Sequence, residues 1–146
     1  MSHEYLLMPV IGVIIAGMVT TVGIGMFSGG IAEANREALI AHLNRLALRA
    51  QQYYRKPAFL GGGGGDFSGF VLDKIEALCV DGCFYLSTDV PLLLESSVPA
   101  GPLSVSSPAQ SLHIVGYGIE RGRDSAFFVS AFTTVTPKAI ATTVVN

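Results

Sequence analysis

The chain has 146 residues, of which 50% are hydrophobic and 14% charged, with a net charge of −2. Once a long apolar segment at the start is set aside, enough chain remains for one small domain. Residues 1–56 carry five basic and three acidic side chains and residues 57–146 carry four basic and eight acidic ones. Neither part has the dense basic patch of a nucleic-acid-binding surface, so no nucleic-acid partner is expected.

Residues 5–27 form an apolar run with no charged side chain. As a helix rising about 1.5 Å per residue, such a run spans roughly 35 Å, enough to cross the hydrocarbon of a bilayer. No basic stretch precedes it and no small-x-small cleavage site follows it, so it lacks the pattern of a signal peptide. The run contains Gly12, Gly17, Gly23 and Gly25, followed by Gly29 and Gly30. Small residues at such spacings let apolar helices approach closely, and glycine is also simply more frequent in membrane helices. The cluster Gly23, Gly25, Gly29 and Gly30 predicts close packing or a weak point in the helix. Glu4 is an acid at the head of this run, where a charge is costly unless it finds a cation. It either sits in the head-group layer or pairs with the α-amino group of a neighbouring copy at Met1.

Residues 31–54 become amphipathic. Ala34, Ala38, Leu39, Leu43, Leu46, Ala47 and Ala50 recur at helical spacing between Glu33, Arg36, Glu37, His42, Arg45 and Arg49. The two segments predict one long helix, interrupted or not, that Pro57 ends. Gly61 to Gly65 are five consecutive glycines without the Gly-Lys-Ser/Thr ending of a phosphate loop. A mobile or tightly turned connection is expected there.

The remainder reads as strands. Residues 67–72, 83–87, 111–119, 127–135 and 139–145 are β-branched and aromatic, bounded by Gly, Pro and Asp. Turns are expected at 120–124 and 136–138, a short helical turn at 73–78, and an exposed Ser/Pro-rich loop at 96–109. Cys79 and Cys83 flank Val80, Asp81 and Gly82, which predicts a three-residue hairpin loop with the two sulfurs within disulfide reach. A disulfide implies an extracytoplasmic domain; the alternative is a pair of reduced core cysteines. The arginines that follow the apolar run argue for the opposite orientation by the positive-inside rule. A basic leader, removed during maturation, reconciles the two.

The fold class is therefore α+β: a long N-terminal helix, hydrophobic and then amphipathic, packed on a small antiparallel β-sheet. Three regions are expected: a hydrophobic helix over 1–28, its amphipathic continuation over 29–56 and a β-rich head over 57–146. No nucleophile–base motif, paired carboxylates, metal-ligand set or haem motif stands out, so neither an enzyme, a cofactor nor a metal is expected.

Glu4, the apolar run, the amphipathic helix and the late strands resemble type IV pilins and pseudopilins. The segment Gln51-Gln52-Tyr53-Tyr54-Arg55-Lys56-Pro57, the glycines and Phe67-Ser68-Gly69-Phe70 look like a poorly characterised bacterial group of pilin-like membrane proteins. The resemblance implies a structural subunit of an extracellular helical filament. Its partners would be copies of itself, the membrane before assembly and the pilus assembly machinery. It would reside in the inner membrane first and in a surface filament afterwards. The alternative is a minor pseudopilin, or a single-pass anchored domain that binds a partner through residues 87–109 and does not polymerise alone.

Overall fold

The computed structural model describes residues 4–91, 101–122 and 127–145. Met1 lies outside the described residues, as do residues 92–100 of the segment expected to bind a partner and part of the expected 120–124 turn. The chain divides after Ile31 into two compact units.

Helix α1 runs from Glu4 to Arg55 without a break. Its second part is rich in Ala, Leu, Glu, Arg and Gln, which favour helix on their own. Its first part is rich in Val, Ile and Gly, which do not. In an apolar medium, however, every backbone group must bond within the segment, and a helix does that. The helix includes Gly23, Gly25, Gly29 and Gly30.

Helix α1 ends where Pro57 supplies no N–H, and the glycines close the end. Gly63 donates to the Tyr53 carbonyl at 2.8 Å, Gly65 to Tyr54 at 3.0 Å and Gly64 to Lys56 at 2.9 Å. These bonds satisfy carbonyls that a helix end leaves orphaned. Two features require glycine here. A Cβ on Gly63 would lie 1.8 Å from the Asp66 carbonyl oxygen, and Gly65 has φ of +97°. The five-glycine segment is thus a tight cap, the second of the two readings above.

From Ala32 on, α1 packs against an antiparallel meander. Its strands are β1 Leu78–Cys79, β2 Gly82–Ser87, β3 Leu112–Arg121, β4 Phe128–Val135 and β5 Ile140–Val144, in sequence order across the sheet. The side chains of Leu39, Leu43, Leu46, Ala47 and Ala50 are fully buried from α1. They meet Phe84, Leu86, Leu112, Ile114, Val129, Ala131 and Val135 from the sheet, one core without charge. Strand β3 is buried on both faces over its first seven residues. Its other face carries Val115 and Tyr117, packed with Tyr85 and Phe132. The α+β architecture expected from sequence is what the chain adopts, and the short helix α2, Lys74–Ala77, falls where a helical turn was expected.

Three expectations are corrected. Residues 67–72 do not form a strand of the sheet. Phe67, Phe70 and Leu72 are buried, but the segment makes only one isolated bridge, Val71 with Ser104. Gly69, at φ +79°, breaks the extended run. Likewise, residues 101–109 are not simply an exposed loop: Pro102, Ser104, Ser106, Ser107 and Pro108 are exposed as expected, but the segment is paired on both sides. Val105 is buried, and the segment bonds to residues 67–72 on one side through Gly69 N–H to the Val105 carbonyl and Leu72 N–H to the Leu103 carbonyl. On the other side the Leu86 N–H donates to the Pro102 carbonyl at 2.8 Å, so this strap covers part of the open edge of β2.

The third correction concerns the cysteines. The hairpin closes on a two-residue turn, Val80-Asp81, with Cys79 paired to Gly82 and Cys83 to Leu78. Shortening the loop by one residue shifts the register, so the two cysteines are not cross-strand partners. Cys83 is a free, half-buried thiol. The redox argument for an extracytoplasmic domain falls with the disulfide.

Candidate functional site

The feature of the first unit is its surface. All thirteen large apolar side chains described between Leu7 and Phe27 are exposed, by 52 to 80%. The most apolar 18-residue window has a mean hydropathy of 2.2 and no buried share. The two threonines of the run turn their hydroxyls inward. The Thr20 Oγ1 donates to the Ala16 carbonyl at 2.8 Å and the Thr21 Oγ1 to the Gly17 carbonyl at 2.8 Å. Back-bonding of this kind lets a hydroxyl enter hydrocarbon without an unsatisfied donor. Glu4 is the first residue of α1. A Cβ added at Gly12, Gly17, Gly23, Gly25, Gly29 or Gly30 would meet nothing within 4 Å. Gly23 opens a notch on the helix surface, lined by Met18, Val19, Val22 and Met26. One helix of this length and composition can cross a membrane.

In the second unit the polar contacts are structural in kind. The Asn35 side-chain amide donates to the Asp81 carbonyl at 2.8 Å, and its Oδ1 is buried without a partner. The Asp81 carboxylate lies 3.2 Å from His42 Nε2, and Arg45 contacts His42 Nδ1 at 3.2 Å. Arg36 pairs with Glu33 at 3.1 Å, and Arg49 pairs with Glu76. His113 is buried on β3, with Nδ1 3.0 Å from Thr134 Oγ1; desolvation pushes its pKa below 6.5 against an opposing pull from Asp89. Asp66 Oδ1 accepts from the Ala109 N–H at 2.8 Å and the Ser68 N–H at 3.0 Å. The Ala109 bond, then the Ser68 bond, hold its carboxyl below 3.8. Asp66 thereby ties the cap of α1 to the strap. Among the described residues no group of three or more His, Cys, Asp and Glu could hold a metal ion.

Sequence reasoning missed Asn35 and the glycines of β3. Leu39 and Phe84 crowd Gly116: a Cβ there would lie 3.1 Å from a Leu39 methyl and 2.9 Å from the Phe84 ring. Gly118 receives Asn35, whose Oδ1 would be 2.1 Å from its Cβ. The available signal was Gly-Tyr-Gly at a period of two inside a strand, which marks a close backbone approach. Phe67 is buried in the core and Tyr53 and Tyr54 pack against it, whereas Phe59 is 85% exposed.

Searches against family models, curated proteins and solved structures found no match to this chain.

Proposed function

We propose that the chain is the structural subunit of an extracellular helical filament of the type IV pilin kind. The observation that carries the proposal is the row of exposed apolar side chains on α1, continuous in sequence with a helix that packs on an antiparallel meander. At about 1.5–3 kcal/mol for each large apolar side chain removed from water, thirteen of them supply roughly 20–40 kcal/mol before the entropy of association is set against it. Such a surface has two stable homes, a bilayer and a bundle of its own copies. The helix lies in the inner membrane before assembly and in the filament core afterwards. The assembly machinery moves it from one to the other, and the β-rich units coat the outside.

Open, head-to-tail packing around the core does not close and so gives a filament. The glycines of α1 let the helices approach closely in that core. Glu4 neutralises the α-amino group of a neighbouring copy, which sets the axial register. Long uniform filaments containing this chain, in material sheared from the cell surface and seen by negative stain, are the expected result. Recovery of the chain from the membrane fraction alone, with no filament, would favour an anchored domain that does not polymerise. Glu4→Ala should cut filament yield at unchanged cellular level; normal yield would remove Glu4 from the assembly. The intact mass of the native protein gives its N-terminus and any methylation.

A further inference from the structure

The outward face of α1 between Glu33 and Gln52 carries a pattern that contacts among the described residues use only in part. Ala34, Ala41 and Leu48 recur every seven residues and are all exposed. At about 100° per residue they form a narrow apolar seam along the helix. Glu33 and Glu37 lie on one flank of the seam and Arg45 and Arg49 on the other, and all four are exposed. Each arginine stands twelve residues beyond its carboxylate. Within one chain the arrangement is unfavourable, because like charges four residues apart on a helix repel. Glu33 is relieved by Arg36 and Arg49 by Glu76, and Arg45 reaches His42 at 3.2 Å, yet Glu33 remains 59% and Arg49 48% exposed. Each can serve a second partner.

We infer that this face binds α1 of a second copy, parallel and displaced along the helix axis by about twelve residues, or roughly 18 Å. The inference rests on the filament reading. The apolar segment that every copy carries at its N-terminus makes neighbouring helices parallel. At equal height two parallel copies present like charges at like levels: carboxylates low, arginines high. Displaced by twelve residues, Glu33 and Glu37 of the upper copy meet Arg45 and Arg49 of the lower one at the same time. Because acids and bases occupy opposite flanks of the seam, each copy offers its acid flank to one neighbour and its base flank to the next. That contact is heterologous, and its axial displacement prevents closure into a ring. Equal-height pairing in the membrane is disfavoured by the same charges, so the pattern selects the assembled state over lateral clustering.

The test uses the full chain in the cells that make it. Glu33→Lys/Glu37→Lys and Arg45→Glu/Arg49→Glu are each expected to lower filament yield at least ten-fold. Carrying all four changes in one chain restores it, and so does co-expression of the two double variants, whose flanks are complementary. Unchanged thermal unfolding of each variant in detergent shows that folding is not the cause. Wild-type filaments whose yield is indifferent to the double reversals overturn the stagger and leave the filament reading standing. Wild-type cells that make no filament overturn both. Loss in the double variants without restoration in the fourfold exchange or in co-expression also overturns the stagger.

Discussion

Asn35 sits in the gap left by Gly118, and a methyl group placed there tests how the helix is seated on the sheet. In Gly118→Ala the new Cβ falls 2.1 Å from Asn35 Oδ1 and 3.2 Å from both Asn35 Cγ and Val129 Cβ. Ordinary contact begins near 3.4 Å, so Oδ1 must retreat by more than an ångström. Asn35 is 8% exposed and its amide is held by the Asp81 carbonyl, so it cannot retreat without breaking that bond. Overpacking costs about 1–3 kcal/mol and the lost hydrogen bond about 1 kcal/mol, so the variant should lose about 2–4 kcal/mol. With a urea slope of about 2 kcal/mol per molar, the middle of the usual range, that moves the midpoint by roughly 1–2 M. The measurement is urea unfolding of the full chain in detergent micelles, followed by tyrosine emission. Asn35→Ala alone should cost about 1–2 kcal/mol through the lost bond. The double variant Asn35→Ala/Gly118→Ala should be only slightly worse than Asn35→Ala, because the methyl then occupies the vacated space. The coupling should reach at least about 1.5 kcal/mol in the cycle. A Gly118→Ala variant within about 0.5 kcal/mol of the parent, or strictly additive effects, would refute the fit of helix to sheet described above.

Three further outcomes are expected. The carboxyl of Asp66 has a depressed pKa, so its contribution is present above pH 3.8 and is lost as pH falls through the folded value; in acid titrations of unfolding, Asp66→Asn should lack that loss, and coincident acid limbs would exclude it. Burial lowers the pKa of His113, so the folded chain resists its protonation and loses stability as pH falls below 6.5 towards the folded value. A proton NMR titration should place its midpoint below 6.5, and a midpoint at or above that would contradict the burial. Gly63→Ala should destabilise the end of α1 by about 2 kcal/mol or more, since its Cβ meets a carbonyl oxygen at 1.8 Å, and hydrogen exchange of the last turn reports it.

What could be read in the sequence was what local pattern controls. The three- and four-residue spacing of Leu39, Leu43, Leu46 and Ala50 marked the buried face of α1, and Pro57 marked its end. Aromatic and β-branched residues bounded by Gly, Pro and Asp marked β2 to β5. The surface that carries the proposed function was the plainest signal of all, an uninterrupted apolar run. What escaped depends on residues far apart in the chain. Leu103 and Val105 lie among Ser and Pro, yet both pack on the core, because the strap finds partners in residues 67–72 and in Leu86. Asn35 looks polar and solvated until it is known that Gly118 lies opposite. The cysteine pairing failed on a single residue of turn length, which local composition did not decide.

The seating of α1 also has a mechanical reading. Asn35 is wedged against Gly118 near one end of the packed stretch, and the Gln51 amide donates to the Thr136 carbonyl at 2.9 Å near the other. Thr142 reaches Asn44 at 3.0 Å between them. A lengthwise pull on α1 therefore loads these contacts together, in shear, along with the row of leucines in between. The glycine amides hold the far end of the helix, so it cannot unravel from its last turn. A force that lifted α1 away from the sheet would meet the same contacts one after another. The unit is built to carry tension along its helix and to yield to peeling.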